Sequence, residues 1–561
     1  MMSMGWSRIS SPIIHTMKTP TLLLISLLTL PIAARAEAPA GELLGKVSFP
    51  VSCSPSVRID FSRGVALLHD FWYEEAQRQF EQIAKTDPNC AMAHWGIAMS
   101  VFHQIWDRPD EHAVALGWKE LQAAHKHPAK TAREREYIAA LSDFFRPDNR
   151  AFQARIEDYA AAMGKLYAHY QKDVDAGTFY ALSLLAAQAP DDASVIPEQR
   201  AMAVLNPLFA KYPDHPGVVH YIIHACDTPS LAPEGLAAAR HYGEIAASGP
   251  HAVHMPGHIF ARLGMWQEDI DSNAASVSAS QAADGRHQSG AMDQFHSYDF
   301  LLYAYLQSAQ DAHAKAVLDD SAASLTHFES MGNMGEHYME GMFPYYRTKL
   351  PVFFHLEMRD WKSAAALEPI AGARPETQLL TYWARTIGAG HLRQPEQARA
   401  DLASYDSLME QVKQGRHAYY ADSTVTRIER GEMLAWIAFA EANSVDALKH
   451  MRDSADLQDK VGQGEVDIPA REMLADMLLE LGQPREALVE YDQSLKLSPN
   501  RFNGLYDAGR AAEAAGDKEL AKTYYGALLK STHGGSQSTR PEFEHVKAFD
   551  SSLAVAAKAG G

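Results

Sequence analysis

Apolar and small residues recur with helical spacing along the C-terminal part of the chain, in a pattern that occurs twice in succession. From 470 to 499, and again from 501 to 531, they recur every three or four positions with one glycine interruption. The shared positions are a small residue, a turn glycine, an alanine and an aromatic residue: Ala475, Gly482, Ala487 and Tyr491, then Gly509, Gly516, Ala521 and Tyr525. Each stretch therefore predicts two antiparallel helices that approach closely at the small residues, with the aromatic side chain filling the gap.

Earlier parts of the chain carry copies of the same spacing. The clearest copies are Gly64, Ala76, Phe80 and Pro88, and then Gly257, Phe260, Leu263, Gly264 and Trp266, with Asp269 where alanine is usual. Weaker copies surround Ala314, Ala364, Ala398 and Ala447. Helix pairs are therefore predicted from residue 56 to residue 532, and no stretch predicts a strand.

These residues resemble the tetratricopeptide repeat, a helix–turn–helix unit of 34 residues. The resemblance implies an all-α fold, an α-solenoid in which each helix pair buries its apolar face against its neighbours. It also implies that one stripe on the first helix of each pair faces a concave groove that holds ligands.

The repeat pattern and its breaks divide the chain into successive segments. These are a signal peptide (1–36), a lead-in (37–55), N-terminal repeats (56–215), central repeats (216–330), degenerate repeats (331–465), C-terminal repeats (466–532) and a frayed helix or tail (533–561). Proline-rich stretches at 107–113 and 188–199 are expected to be long loops between helices.

The N-terminus has the features of a secretory signal peptide. An apolar run from Leu22 to Ile32 follows Arg8 and Lys18 and ends at the small-residue pattern 34–36. Cleavage is expected after Ala36, with an uncleaved anchor as the alternative and Met17 as an alternative start. The protein is therefore expected to be exported, periplasmic or secreted, with no transmembrane segment after cleavage, because no later segment is long and apolar enough to span a bilayer.

Composition narrows the function classes. Asp and Glu (70) outnumber Lys and Arg (51), and the net charge of -19 disfavours nucleic-acid binding. Histidine is abundant, with 26 residues, whereas 3 cysteines are too few for a disulfide scaffold or a cysteine-rich zinc ribbon. The composition does not exclude binding sites built from histidine side chains.

Two of the cysteines are placed to form a disulfide. Cys53 lies ahead of the first predicted helix, and Cys90 lies at a helix start just after Pro88. In antiparallel helix pairs these two places are neighbours, so a Cys53–Cys90 bridge is predicted if the protein is exported, with two unpaired thiols as the alternative. Cys226 falls inside a helical repeat and is expected to be a buried thiol.

Polar residues line up on one stripe of three consecutive first helices in the central repeats. With Pro216 and Pro250 as helix starts, the stripe consists of His220, His224 and Asp227, then His251, His254, His258 and Arg262, then His296, Asp299 and Tyr303. By the resemblance, this stripe faces the ligand groove. Family members that bind peptide carboxylates have Lys and Asn on this stripe. This chain has His and Asp there instead, so the same specificity is not expected.

Histidines on this stripe favour a metal site. Residues four apart lie on one helix face, so His220 with His224, and His254 with His258, can converge on one ion from two helices. Together with His251 they suit zinc, copper, nickel or iron(II), while Asp227 ligates or orients a histidine. The alternatives are a polar groove for a peptide or small molecule and a structural hydrogen-bond network. If the second helix begins at Pro256, His251 and His254 instead lie in a loop.

The function predicted from the sequence is that of an exported binding protein whose groove holds a transition metal or a polar ligand. Arg262, His296, Asp299 and Tyr303 are the predicted ligand-groove residues, and the partner is a peptide, a protein or a small molecule. A metal-dependent enzyme in the same groove and a pure protein-interaction scaffold remain alternatives. No HExxH, Walker, GxSxG or dinucleotide-binding glycine motif is present, so hydrolase and nucleotide-enzyme classes have no support.

Overall fold

The computed structural model describes residues 41–559 except 106–107, 128, 190–191, 193, 286–289, 332–336, 416–417 and 536–537. The predicted signal peptide lies outside the described residues. From Glu42 onwards the chain forms one compact unit. Within the described ranges every regular element is a helix, so the predicted all-α class is confirmed. None of the described helices has the length and apolar character that crossing a membrane requires.

The first half of the unit is built from consecutive helices, most of them joined by short turns. Longer connections run from Ser100 to Glu111 and from Ala186 to Ile196, where the two proline-rich loops are predicted, but the following helix begins in each case before the predicted loop ends. They are α1 (Arg58–His69), α2 (Tyr73–Thr86), α3 (Ala91–Ser100), α4 (Glu111–Lys126), α5 (Ala132–Phe145), α6 (Phe152–His169), α7 (Val174–Ala186), α8 (Ile196–Phe209), α9 (Pro216–Cys226), α10 (Ala232–Ile245), α11 (Pro250–His254), α12 (Pro256–Arg262), α13 (Trp266–Gly285) and α14 (Ala291–Gln307).

The second half continues in the same way. Its helices are α15 (Asp311–Ser330), α16 (Phe343–Glu357), α17 (Trp361–Ala365), α18 (Pro375–His391), α19 (Pro395–Gln414), α20 (Ala418–Ala421), α21 (Thr424–Ala440), α22 (Ser444–Val461), α23 (Ala470–Glu480), α24 (Pro484–Leu497), α25 (Phe502–Ala515), α26 (Lys518–Ser531) and α27 (Pro541–Ala559). Short 3-10 turns occur at Pro55–Val57 and His533–Gly535, and a π-helical turn at His337–Met342.

The small residues and aromatics of the repeat pattern meet where the helices cross. A Cβ atom on Gly64 of α1 would lie 2.7 Å from the Phe80 ring of α2, and Gly509 of α25 meets Tyr525 of α26 in the same way. Each helix packs against the next one in the chain. The first helices of adjacent pairs are also in contact, for example α21 with α23 and α23 with α25. This is the tetratricopeptide-type α-solenoid that the sequence predicts.

The lead-in segment ties distant repeats together. The Phe49 ring stacks on Trp95 and packs at a tilt against Phe61, and Arg133 lies over it. The backbone N–H groups of Gly45 and Lys46 donate to carbonyls of Ile245 and Asp214, at 2.8 Å each. The N-terminal pair is thereby held against the α9–α10 pair, and α1 contacts α9 directly.

Cys53 and Cys90 form a disulfide with a Cα–Cα distance of 4.9 Å, which joins the lead-in to the start of α3. Cys226 is a buried free thiol. The bridge fixes the segment that runs across the repeats, so it adds a covalent constraint to the hydrogen bonds of the lead-in.

The C-terminal repeats fold back onto the central ones. The indole N–H of Trp266 donates to the carbonyl of Asn500 at 2.8 Å, and Arg540 pairs with Asp311 at 2.7 Å. Within the predicted tail, α27 (Pro541–Ala559) follows Arg540 and buries Phe543, so this part is helical. The solenoid is therefore closed around its central repeats.

A single methyl group tests the crossing of α1 and α2. Gly64→Ala places a Cβ against the Phe80 ring, and we expect a net destabilisation of about 1–2 kcal/mol, because overpacking outweighs the helical preference of alanine. The measurement is the thermal unfolding midpoint followed by circular dichroism. Gly526→Ala is the matched control, because a Cβ there meets nothing within 4 Å, and its midpoint is expected to rise slightly. Equal midpoints for the two variants would contradict the packing described here.

Candidate metal centre

Six histidines of the central repeats lie side by side on adjacent helices. They are His220 and His224 on α9, His251 and His254 on α11, His258 on α12 and His296 on α14. Helix α12 contacts both α9 and α14. Four of the six rings are buried outright and the other two are half-buried, so the histidines form part of the interior.

Pro256 divides the second of these helices without turning the histidines away. Helix α11 ends at His254 and α12 begins at Pro256, but Met255 between them keeps helical dihedrals, φ −52° and ψ −35°. His251 and His254 are therefore helical, and the alternative that places them in a loop does not apply. His254 and His258 stay on one side, four residues apart.

His220, His224 and His251 form the first triad. The Nε2 atom of His220 lies 3.0 Å from that of His224 and 3.2 Å from that of His251. One nitrogen of each ring lies within 4.8 Å of the other two. Three nitrogen ligands placed about 2.0 Å from one ion lie about 3.3 Å apart in tetrahedral geometry, so the two Nε2 separations of His220 are compatible with a ligand set as well as with hydrogen bonds between the rings.

His254, His258 and His296 form the second triad. The Nε2 atoms of His254 and His258 are 3.0 Å apart, and the ring centroid of His296 lies 4.4 Å from that of His254. Their nitrogens also lie within 4.8 Å of one another. His296, predicted as a ligand-groove residue, thus joins two of the predicted metal ligands.

The outer nitrogens of three of the six rings point to protein acceptors. The Nδ1 atom of His220 is 2.5 Å from the carbonyl of His69, and that of His254 is 2.6 Å from Asn273 Oδ1. The amide nitrogen of Asn273 donates to Asp269, so its oxygen faces the histidine. His258 Nδ1 lies 2.9 Å from Asp227 Oδ2. An acceptor on Nδ1 places the N–H there, as in metal-ligating histidines.

This arrangement leaves lone pairs facing each other in the second triad. Because Nδ1 donates in both His254 and His258, a neutral ring presents an unprotonated Nε2, and the two are 3.0 Å apart. Two lone pairs at that distance repel. A cation has to lie between them, either a proton carried by His258 or a metal ion.

The surroundings act on the rings in two opposite ways. Burial lowers the pKa of His220 and of His296 to about 3, and it lowers the pKa values of His224, His251 and His254 well below the usual range. These five rings are neutral, which is the form that binds metal.

His258 differs from the other five. Burial opposes its charge, but the carboxylates of Asp227 and Glu465 raise the pKa of His258 to about 10. Arg262 donates to Asp227 at 3.0 Å and lies 3.3 Å from Glu465, and although burial opposes ionisation, Arg262 holds the pKa of Glu465 well below its usual range. Asp227 therefore orients a histidine from its outer side, one of the two roles predicted for it.

Two predicted ligand-groove residues do not line an open groove. Asp299 is paired with Lys349, and the Tyr303 hydroxyl donates to the carbonyl of Asp467 at 3.0 Å and contacts Arg501. Arg262, the third, also donates to the carbonyl of Gln463. The loop between α22 and α23 and the residues after α24 lie over this part of the stripe, and the ligand-groove role of these residues stays a prediction.

Several residues of the centre had no signal in the sequence. Glu465 lies in the loop between α22 and α23, and the carbonyl of His69 comes from the end of α1. Asn273 on α13 and Tyr346 on α16, which is 3.4 Å from His296 Nδ1, belong to neighbouring helices. No helical periodicity links these residues to the histidines in the sequence, because only the tertiary structure brings them near.

No protein-family model and no curated protein sequence matches this chain. Solved structures similar to it include human IFIT1 as a dimer with m7Gppp-AAAA, at 11% identity and TM-score 0.35, covering 78% of this chain and 90% of that one. The P58(IPK) TPR domain shows 11% identity and TM-score 0.21, with 89% and 99% covered. Naa15/Naa10 bound to HypK-THB shows 13% identity and TM-score 0.24, with 88% and 74% covered.

The ion pairs around Arg262 give a stability prediction for the metal-free protein. Arg262→Met removes one of the two cationic side chains, Arg262 and His258, that Asp227 and Glu465 share. We expect a loss of about 3–5 kcal/mol in the free energy of unfolding, because breaking a buried ion pair leaves uncompensated charge. The measurement is the urea midpoint of unfolding. Arg240→Met is the control, because its pair with Glu268 is exposed and 3.7 Å long, and its change is expected to stay within about 0.5 kcal/mol. Similar midpoints for both variants would show that Arg262 does not hold the loop.

Proposed function

We propose that this protein binds a transition metal inside its α-solenoid, through imidazole nitrogens of the first and second triads. The observation that carries this proposal is the pair of Nε2 atoms of His254 and His258, 3.0 Å apart, with both outer nitrogens held by acceptors. Helical solenoids of this type are scaffolds that bind partners on extended concave surfaces. The metal proposal concerns the interior of the central repeats.

A structural hydrogen-bond network accounts less well for the same geometry. Such a network pairs each donor with an acceptor, but the acceptors here lie on the outer side of the rings. A proton on His258 makes one hydrogen bond, to His254, in the second triad. It supplies no donor to the inward nitrogen of His296. One ion with three open positions takes all three nitrogens at once.

A peptide groove also fits less well. The histidines are buried, and Glu465 reaches to 3.3 Å from His258 Nδ1 across the mouth of the stripe. A peptide would have to displace this loop and its contacts with Arg262. An ion of atomic size needs no such opening. Imidazole ligands suit zinc, copper, nickel and iron(II).

We further propose that the protein is exported. The apolar run and small-residue exit at the N-terminus support this, and a Cys53–Cys90 disulfide suits an oxidising compartment.

Export predicts a defined mature terminus. When the full chain is expressed in an exporting host, intact-mass analysis and N-terminal sequencing are expected to give a chain that begins at Glu37, with Cys53 and Cys90 oxidised. The same chain with Ala34 and Ala36 both changed to Leu is expected to remain unprocessed, because the cleavage site needs small residues. A wild-type chain that keeps its N-terminus in the cytoplasm would contradict export.

Metal binding predicts loss of the ion when each triad loses a ligand. The double variant His224→Ala/His258→Ala is expected to retain less than about a tenth of the wild-type metal, since two ligands remain in each triad. The measurement is elemental analysis of untagged protein, purified without chelators, after gel filtration. Circular dichroism checks that helicity is retained.

The matched control replaces two histidines outside the triads. His94→Ala/His241→Ala removes half-buried rings that pair with Glu120 and Asp214, and its metal content is expected to equal that of the wild type. The proposal fails if wild-type protein holds no metal after incubation with zinc, copper, nickel and iron(II). It also fails if the triad variant retains the ion as well as the control does.

A further inference from the structure

The six histidines make two complete ligand sets and not one. The first triad comes from α9 and α11, the second from α11, α12 and α14, and each has three nitrogens within 4.8 Å. His251 belongs to the first and His254 to the second, and their ring centroids are 6.0 Å apart on one turn of α11. Two ions, one in each triad, would be separated by only this turn.

The ligand chemistry of both triads is the same. All inward donors are imidazole nitrogens, while the nearest carboxylates, Asp227, Glu465 and Asp293, lie on the outer Nδ1 side of His258 and His251. Pairs of iron or manganese ions in helical proteins recruit glutamate from facing helices. Neutral imidazole sets without carboxylate ligands favour copper, which has the highest affinity of the divalent series for nitrogen donors.

Charge repulsion favours the same metal. Two imidazole ligand sets so close together place no carboxylate between the ions, and Coulomb repulsion scales with the product of the charges. Two monocations repel one another a quarter as strongly as two dications at the same separation. Of the metals that suit imidazole, copper is the one with a stable monocation, so the reduced pair is the form that these triads hold best.

We propose that the two triads hold a pair of copper ions, one in each triad, and that dioxygen binds between them. This rests on the proposed metal-binding function. Each copper(I) gives one electron, so dioxygen takes up two electrons and becomes peroxide, while both ions become copper(II). No proton is consumed, the O–O bond stays intact, and the dianion supplies the negative charge that two neighbouring dications need. Release of dioxygen returns both electrons to the copper ions.

The first test counts copper ions per triad. Metal-free full-length protein is loaded anaerobically with copper(I), passed through gel filtration and analysed for copper. Wild type is expected to hold two ions per chain. His224→Ala, which removes a half-buried ring of the first triad, and His296→Ala, which removes one of the second, are each expected to hold one. His241→Ala is the control and is expected to hold two.

The second test uses wild-type protein alone and so does not depend on the folding of a variant. Dioxygen is added to the dicopper(I) protein, and uptake is measured together with electron paramagnetic resonance and X-ray absorption. One dioxygen per two copper ions is expected, with an absorption edge of copper(II) and little resonance signal, because the bridge couples the two unpaired electrons.

The outcomes separate the two levels of the proposal. If no metal binds to wild type, the proposed function fails as well. One ion per chain, lost in both single variants, would keep metal binding but overturn the paired centre. Metal-free wild type that binds two zinc ions in a parallel loading but takes up no copper(I) would overturn the metal assignment. Two copper(II) ions with full, uncoupled resonance intensity, or no dioxygen uptake, would overturn the bridge.

Discussion

The hydrogen bonds on the outer nitrogens of the buried imidazoles are the interactions on which the central repeats depend. A neutral histidine inside a protein has one donor and one acceptor, and the position of the donor decides which way the lone pair points. Here the carbonyl of His69, the amide of Asn273 and the carboxylate of Asp227 take the donors. The lone pairs are thereby turned toward one another, at a cost in repulsion that a bound cation removes.

Those acceptors come from elements that have no local reason to be adjacent. The lead-in holds α1 against α9, so that the end of α1 presents its carbonyl to His220. The loop between α22 and α23 brings Glu465 to His258 and Arg262. Both closures are tied by polar contacts at their edges, for example Trp266 with Asn500. The histidine region therefore has α1 and the loop between α22 and α23 as neighbours, although both are distant from it in the sequence.

The interruption at Met255 has a structural consequence for the centre. Proline removes one backbone donor and in a regular helix interferes with the preceding turn. The helix is divided into α11 and α12 at this position, but Met255 keeps helical dihedrals. His251, His254 and His258 therefore stay on one side. His251 and His254 can then serve different triads although they lie on the same helical turn.

The sequence alone determined the helix pairs and their contacts with neighbours, because small and aromatic residues such as Gly64 and Phe80 carry that information in their spacing. It also placed all six histidines on matching stripes and paired Cys53 with Cys90, since helix periodicity and order decide which residues share a face. Only the tertiary structure assigned His296 to the second triad. It also showed that Asp299 pairs with Lys349, that Tyr303 donates to the carbonyl of Asp467, and that Glu465 contacts His258. These contacts join residues up to 207 positions apart. Such contacts follow from how the whole solenoid closes, and local periodicity does not encode that closure.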